Sequence, residues 1–248
     1  TGVCDPRQES NASLSRLMIG AEPPELAHRP QALGARVLQV ERLDLKRESP
    51  FGVHLVDLSL QVRAGEVVGI AGVSGNGQRE LLFALSGEDR RAPAASIWIA
   101  DQAAGRLSPS RRRALGLHFV PEERLGRGAV PEMSLAHNLL LTRREAVGPL
   151  GWLRTGTLRA QAQAIIERFR VKAAGPQAPA RSLSGGNLQK FIMGREIDAR
   201  PRLLIVSQPT WGVDVGAAAQ IRGELLALRD AGCAVLVVSE ELDELFEV

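Results

Sequence analysis

The fold of this chain is decided by residues 65–85, which read GEVVGIAGVSGNGQRELLFAL. A turn and a continuous apolar run, residues 67–71, are typical of a buried strand. The glycine-rich loop that follows, residues 72–77, leads into a segment with helical spacing, residues 78–85. This order of elements predicts a cradle for phosphate groups, because successive backbone N–H groups and the N-terminus of a helix attract anions.

Two positions after the loop depart from the usual phosphate-binding pattern. That pattern is G-x-x-x-x-G-K-[ST], in which the lysine reaches the terminal phosphates and the hydroxyl holds Mg²⁺. Here Gln78 replaces the lysine and Arg79 replaces the hydroxyl residue. The three lysines of the chain, Lys46, Lys172 and Lys190, stand elsewhere. Taken alone, the loop is therefore only a weak match to that pattern, and an ordinary glycine-rich turn is favoured.

The composition is that of an ordinary globular protein. The 248 residues are 44% apolar and 24% charged, which excludes disordered and low-complexity chains. The 31 basic and 28 acidic residues give a net charge of +3, too weak to indicate nucleic acid as a partner or a membrane-binding surface. No apolar run approaches the roughly 18 residues of a membrane span. Cys4 and Cys233 cannot form a disulfide framework, so we expect a soluble chain in a reducing compartment.

The pattern of the chain changes at about residue 35. Residues 1–35 contain four prolines and little apolar periodicity, which predicts the tail of a preceding domain and a linker. Over residues 36–248 strands alternate with helices, which predicts one α/β domain with a largely parallel sheet. Residues 105 to 195 are mostly helical and are expected to form a separate lobe. Strands are predicted at 37–40, 55–62, 67–71, 96–100, 117–120, 203–206 and 234–238, and helices at 78–85, 134–141, 157–170, 187–199, 217–229 and 241–246.

Three later stretches of sequence make the interpretation of the glycine loop more specific. Residues 183–187 read LSGGN, residues 203–210 read LLIVSQPT, and residues 212–214 read GVD. A Leu-Ser-Gly-Gly run by itself is a common helix cap. In this order and spacing after a glycine loop, however, the combination is highly specific.

On these residues the chain resembles, over roughly residues 36–248, the ATP-binding subunits of ABC transporters. Residues 183–187 match the family signature, residues 212–214 match the D-loop, residues 120–124 stand at the Q-loop with Glu122, and Glu240 stands at the switch histidine. The stretches GNGQ, QPT and SEELDE resemble more narrowly the second, C-terminal and degenerate, domain of the tandem ATPases that serve sugar and nucleoside importers. The resemblance implies the P-loop NTPase fold of the ABC ATPase core, with a mainly parallel sheet, an antiparallel β portion and a helical signature lobe, truncated at the C-terminus.

The resemblance also implies that this domain hydrolyses ATP poorly or not at all at its own loop. Phosphoryl transfer of this type needs a phosphate-binding lysine, a Mg²⁺ site, a water-positioning carboxylate and a γ-phosphate sensor. The corresponding positions carry Gln78, Arg79, Ser207, Gln208 and Glu240. No metal ligand is assigned, and nucleotide binding at this loop is expected to be weak or absent. The residues that would contact such a nucleotide are Gly72, Ser74, Gly75, Asn76, Gly77, Gln78, Arg79 and, stacked on adenine, Phe51.

The intact signature points to a role in another domain's ATP site. In the family, two domains face each other head to tail, and each ATP site pairs one domain's glycine loop with the other's signature. Ser184 is expected to cap a helix that begins near Asn187, and the glycines are expected to let a triphosphate approach. The residues predicted to act in this way are Leu183, Ser184, Gly185, Gly186, Asn187 and Asp214.

The resemblance implies that ATP with Mg²⁺ is held at the partner's site. The implied partners are the first-half ATP-binding domain of the same subunit and transmembrane permease subunits, at the cytoplasmic face of the inner membrane. Two alternatives stay open: a competent ATPase domain in which another group such as Arg79 compensates for Gln78, and a soluble ABC protein outside transport.

Other residues are expected to be structural. The four histidines have no metal-ligand spacing, residues 111–113 are three arginines expected to form a solvated face, and Cys233 is expected to be an inert core thiol. Trp152 falls in the predicted helical lobe, which in the family docks the membrane subunit.

Overall fold

A computed structural model describes Asp5, residues 32–143 and residues 152–248. The predicted tail and linker, residues 1–35, lie outside the described residues apart from Asp5 and residues 32–35. The elements, numbered in chain order, are the strands β1 Arg36–Leu45, β2 Leu55–Arg63, β3 Val67–Ala71, β4 Ile97–Ile99, β5 Gln102–Ala103, β6 Leu117–Val120, β7 Leu203–Ser207 and β8 Ala234–Ser239, and the helices α1 Gln78–Ser86, α2 Pro109–Ala114, α3 Leu135–Leu140, α4 Thr155–Arg168, α5 Gly185–Asp198, α6 Val215–Asp230 and α7 Leu242–Phe246.

The strands form two sheets, as the resemblance implied. One is antiparallel with the order β2-β1-β4-β5, and the other is parallel with the order β3-β8-β7-β6. In the parallel sheet, Gly69 pairs with Val237, and Val206 pairs with both Val237 and Val120. The loops at the carboxyl ends of all four parallel strands therefore meet at one edge of the sheet, which is where ligands bind in α/β folds.

The two central strands, β7 and β8, are buried on both faces. Leu204 and Val206 pack into a cluster that includes side chains of α3, α4, α5 and α6. Leu203 and Ile205 pack into a second cluster with β1, β2, β4 and α1. Side chains alternate along a strand, so a strand covered on both faces has to be apolar at every position. This explains why residues 203–206 were recognisable as a strand from the sequence.

The strand predicted at residues 67–71 is present with these bounds, but the prediction that it is buried was wrong. Val67, Val68 and Ile70 of β3 are only partly buried, and Gly69 and Ala71 are exposed. The reason lies in the strand order, since β3 pairs only with β8 among the described strands. An apolar run is equally compatible with a central strand and with an edge strand of a parallel sheet.

The prediction of a solvated face at residues 111–113 was also wrong. Only Arg111 is exposed, while Arg113 donates to the fully buried Glu196 at 3.0 Å and Arg112 has no exposed surface. The Arg112 guanidinium donates to the carbonyl oxygens of Leu107 (3.0 Å), Leu85 (2.7 Å), Gly105 (3.1 Å) and Ala84. Two of these carbonyls belong to the last turn of α1, where a cation is favourable. Arg112 thus caps the C-terminus of α1, the helix that begins at the glycine loop.

The buried thiol of Cys233 fits the expectation of an inert core residue. It is 4% exposed, and burial raises the pKa of the thiol to about 12, so almost no thiolate forms near neutral pH. Within the described residues, no helix has the length and apolar character needed to cross a membrane.

Substituting Arg112 tests its role in stability. We expect Arg112→Ala to lower the free energy of unfolding by about 3 kcal/mol or more, because it leaves several buried carbonyls without donors. Arg111→Ala, in the same helix and exposed, is expected to change it by less than about 0.5 kcal/mol. Urea unfolding measures both, and equal effects of the two substitutions would contradict this account.

Candidate functional site

A cavity of about 200 Å³ lies at the carboxyl ends of the four parallel strands. We call it the P-loop cavity. It brings together most of the residues predicted to form the chain's own site, although Asn76, Gly77 and Phe51 do not line it. The lining residues are Gly72, Ser74, Gly75, Gln78, Arg79, Leu82, Phe119, Glu122, Glu123, Arg127, Ser207, Gln208, Val238, Ser239 and Glu240.

The glycine loop is closed on itself by two side-chain amides. The Oε1 atom of Gln78 accepts from the backbone N–H of Asn76 at 3.1 Å, and its Nε2 atom donates to the carbonyl of Val73 at 3.1 Å. The side-chain amide of Asn76 donates to the same carbonyl at 3.1 Å. A Cβ on Gly72 would lie 2.6 Å from Nε2 of Gln78, so the amide packs against the loop backbone. The Gln78 side chain thus uses a loop N–H group that an anion would otherwise meet.

The charges around the P-loop cavity are mixed. Burial and the negative charges of Glu123 and Glu240 raise the pKa of Glu122, against the opposing influence of Arg127 and Arg79. Arg127 is already committed to Glu88 at 2.8 Å and to Glu123, whereas Arg79 stacks over the ring of Phe83, 5.0 Å from its centroid. The acidic groups therefore dominate around Glu122, which disfavours a triphosphate there.

No carboxylate follows strand β7 at the positions where catalysis would need one. Ser207 ends β7 and is 3% exposed. Gln208 has a left-handed backbone, with φ of 49°. Its side-chain oxygen lies 3.4 Å from both the hydroxyl of Ser239 and the backbone N–H of Glu240, each of which donates to it. The amide therefore ties the ends of β7 and β8 together.

Glu244 is a buried carboxylate near this cavity whose role we did not predict. It is 2% exposed and accepts from the backbone N–H of Thr210 at 3.1 Å, from the Thr210 hydroxyl, and from the Ser239 hydroxyl at 2.6 Å. The carboxylate joins Thr210, two residues before the D-loop, to the end of β8. Its place in the SEELDE stretch was noted from the sequence, but nothing there indicated burial.

Phe51 is 98% exposed, in the loop between β1 and β2. This loop is attached to α1 because the backbone N–H of Val53 donates to Glu80 at 3.2 Å. The ring of Phe51 is free to stack on a planar group, and its role toward adenine stays a prediction.

A second, open cavity of about 390 Å³ contains most of the residues predicted to act in another domain's site. We call it the signature surface. Leu183 does not line it and packs instead against the core. The signature surface is formed by Arg124, Ser184, Gly185, Gly186, Asn187, Lys190, Gly212 and Asp214.

The N-terminus of α5 differs from the prediction in its details. The helix begins at Gly185 and not near Asn187, and Ser184 occupies the N-cap position without a side-chain bond to the helix backbone. Its hydroxyl instead accepts from the Asn187 side-chain amide at 2.9 Å. The carboxylate of Asp214 accepts from the backbone N–H of Ala217 at 2.9 Å, so this predicted interface residue also caps α6. The first N–H groups of α5 are thus left without a side-chain cap at the signature surface.

The structure gives a local reason for the signature glycines. A Cβ on Gly185 would lie 2.6 Å from Nη1 of Arg124, and a Cβ on Gly186 would lie 2.8 Å from the carbonyl oxygen of Gly212. The space beside these glycines is therefore already used by the chain itself. Arg124 belongs to the Q-loop stretch noted from the sequence, but its approach to the signature is visible only in three dimensions.

Comparisons with known proteins agree with this fold. The family model described as ABC transporter matches residues 55–211, which is more than half of the chain. The chain is 40% identical to the nucleoside import ATP-binding protein NupA of Lactococcus lactis, covering 97% of this chain and 48% of that protein. It is 38% identical to the guanosine import ATP-binding protein NupO of Bacillus subtilis (98% and 48%) and to the glucose import ATP-binding protein TsgD13 of Haloferax volcanii (100% and 46%). The chain thus spans about half the length of these curated relatives.

Solved structures support the same fold. A dimeric ATP-binding cassette in a post-hydrolysis state with ADP and Pi superposes with a TM-score of 0.70 at 19% identity, covering 84% of this chain and 89% of that one. A nucleotide-free cassette superposes with a TM-score of 0.66 at 22% identity, covering 85% and 84%. The match of the family model to residues 55–211 and the relatives of 38–40% identity show that the chain belongs to the ABC transporter family, as one of its ATP-binding domains.

Proposed function

We propose that this chain is the second nucleotide-binding domain of a tandem ATPase subunit that drives import of a nucleoside or a simple sugar. Relatives of 38–40% identity are named as nucleoside, guanosine and glucose import ATP-binding proteins. The chain accounts for about half of their length, which leaves room in such a protein for a second domain of similar size. The other components would be permease subunits, at the cytoplasmic face of the membrane.

We further propose that this domain hydrolyses ATP poorly or not at all in its own P-loop cavity. The observation that carries this is the Gln78 side chain, which bonds the Asn76 N–H and the Val73 carbonyl at 3.1 Å each. An incoming phosphate would have to displace this amide and would find no lysine in its place. Ser207 and Gln208 supply no carboxylate for Mg²⁺ or for water, and loss of a general base alone costs about 10²- to 10⁴-fold in rate.

The signature surface would then serve the ATP site of the first-half domain. The uncapped N–H groups at the start of α5 and the positive end of its dipole suit the γ-phosphate of an ATP held by the partner. The D-loop, which includes Asp214, would also contact this ATP site. ATP and Mg²⁺ would be held by the partner's own glycine loop, and this chain would complete the site.

A competent ATPase at the P-loop cavity is the second candidate function. It is favoured by Arg79, which lines the cavity and makes no ion pair with any described residue. Arg79 could supply the charge that Gln78 lacks. Stand-alone turnover of this chain, raised further by Gln208→Glu, would support this function and contradict the first.

Nucleotide titration of this chain tests the state of its own site. We expect weak binding of ATP that changes by less than about twofold when Mg²⁺ is added, because the positions that would hold the metal carry Arg79 and Ser207. Isothermal titration calorimetry with and without Mg²⁺ measures this. Tight binding that depends on Mg²⁺ would contradict the proposed degeneracy.

The closed glycine loop makes a further prediction. Gln78→Ala removes the amide that competes for the Asn76 N–H, so we expect binding of inorganic phosphate to tighten by about two- to tenfold, the worth of one hydrogen bond. Gln102→Ala, in the short exposed strand β5, is the control and should have no effect. Weaker phosphate binding by the Gln78 variant would show that the amide helps to hold the anion.

The contribution to the partner's site is tested with Ser184→Arg in the importer complex that contains this chain. A large side chain at the start of α5 would keep the partner's triphosphate away, so we expect at least about a tenfold loss of ATPase activity. Arg181→Ala, three residues earlier and exposed, is the control. Undiminished activity of the Ser184 variant would overturn the proposed function.

A further inference from the structure

Arg124 connects the loop after β6 with helix α5 and with the segment that leads into the D-loop. It lies in the loop after β6, two residues beyond Glu122, which lines the P-loop cavity. Its Nε atom donates to the side-chain oxygen of Gln189 in α5 at 3.2 Å, and its Nη2 atom donates to the backbone carbonyl of Trp211, the residue directly before the D-loop. The guanidinium also stacks over the Trp211 ring, 5.3 Å from the centroid.

Gln189 extends these contacts to the end of β7. Its side chain is 1% exposed, and its Nε2 atom donates to the carbonyl of Pro209 at 3.1 Å and to that of Gln208 at 3.4 Å. The Q-loop, the signature helix and the D-loop are therefore joined through two side chains, Arg124 and Gln189.

The position of Arg124 carries an electrostatic cost. All acceptors of its hydrogen bonds are neutral, and no described carboxylate forms an ion pair with it. The guanidinium lies beside the N-terminus of α5, where the helix dipole disfavours a cation. Burial also lowers the pKa of Arg124. The stack on Trp211 and the two anchoring hydrogen bonds have to offset this cost.

Two glycines provide the space that Arg124 occupies. A Cβ on Gly185 would lie 2.6 Å from its Nη1 atom, and a Cβ on Gly212 would lie 3.2 Å from its Nη2 atom. Gly212 also has a left-handed backbone, with φ of 64°. One glycine of the signature and one of the D-loop thus face the same guanidinium from two sides.

We propose that Arg124 is a positioning residue that holds the signature and the D-loop together as one surface for the partner's ATP site. This rests on the proposed function, since it concerns the same site. Without the guanidinium, no other described group donates to the Trp211 carbonyl, and α5 keeps this segment only through the bonds of Gln189 to Pro209 and Gln208 and the close packing of Gly186 on Gly212. The D-loop can then shift relative to the start of the helix. The partner's ATP would still bind to its own glycine loop, but the surface that completes the site would be misplaced.

The test is the steady-state ATPase activity of the importer complex with Arg124→Ala in this chain. We expect kcat to fall about tenfold and KM for ATP to change less than about twofold, because a small misplacement affects the reaction more than ground-state binding. Arg124→Lys should not rescue, since one ammonium group cannot bond both Gln189 and Trp211 and also stack on the ring. Arg159→Ala, exposed on α4, is the control for loss of an arginine, and thermal midpoints of all variants test folding.

A double-mutant cycle with Gly185 separates this role from a direct need for the glycine. Gly185→Ala alone should lower kcat, because its Cβ displaces Nη1 of Arg124. In the Arg124→Ala background the same substitution should add little further loss, which makes the two effects strongly non-additive. If Gly185→Ala costs as much in that background as alone, the glycine serves the phosphate itself and the proposal is overturned.

The Ser184→Arg complex distinguishes failure of this inference from failure of the proposed function. If Ser184→Arg abolishes activity while Arg124→Ala leaves kcat within about twofold of the parent, the inference is wrong and the function stands. If Ser184→Arg has no effect, both are wrong. Tryptophan fluorescence gives a readout besides activity: in a chain carrying Trp98→Phe and Trp152→Phe, Arg124→Ala should make Trp211 more accessible to acrylamide, and unchanged quenching would contradict the stacked geometry.

Discussion

Parallel pairing of β3, β8, β7 and β6 is the constraint on which the rest of the structure depends. The strands are neighbours in an order that differs from their order in the chain, and all four run in the same direction. Their carboxyl ends therefore lie side by side, and the glycine loop, the Q-loop, the D-loop and the segment around Glu240 meet there. The P-loop cavity is made from these loops, and the signature surface combines two of them, through Arg124, Gly212 and Asp214, with the start of α5, so the two regions are connected.

The two regions differ sharply in chemistry. In the P-loop cavity, the glycine loop donates to the chain's own Gln78, and the lining carries three carboxylates, Glu122, Glu123 and Glu240, against two arginines, Arg79 and Arg127. At the signature surface, the start of α5 has no side-chain cap and Arg124 has no carboxylate partner among the described residues. The electrostatics thus disfavour an anion in the first region and favour one at the second. This contrast underlies the proposal that the chain completes an ATP site elsewhere.

Several residues show where reasoning from sequence reaches its limit. Arg112 stands between two other arginines and looks exposed by pattern, yet it is buried, and four carbonyls from α1 and from the loop between β5 and α2 accept from it. The apolar run of β3 was recognisable, but its place at the edge of the sheet depends on strand order. Ser184 stands at the N-cap as predicted, but its hydroxyl accepts from the Asn187 side-chain amide and not from the helix backbone.

The sequence by itself determined the class of fold, the order of most strands and helices, and many, though not all, of the residues that line the two functional regions. These features follow from local signals, namely apolar periodicity, glycine loops and short motifs with fixed spacing. Only the tertiary structure decided which contacts those residues make: Gln78 within its own loop, Glu244 between Thr210 and Ser239, and Arg124 between Gln189 and Trp211. Such contacts join residues up to 87 positions apart, and no local pattern encodes them, because they depend on how the strands and helices pack.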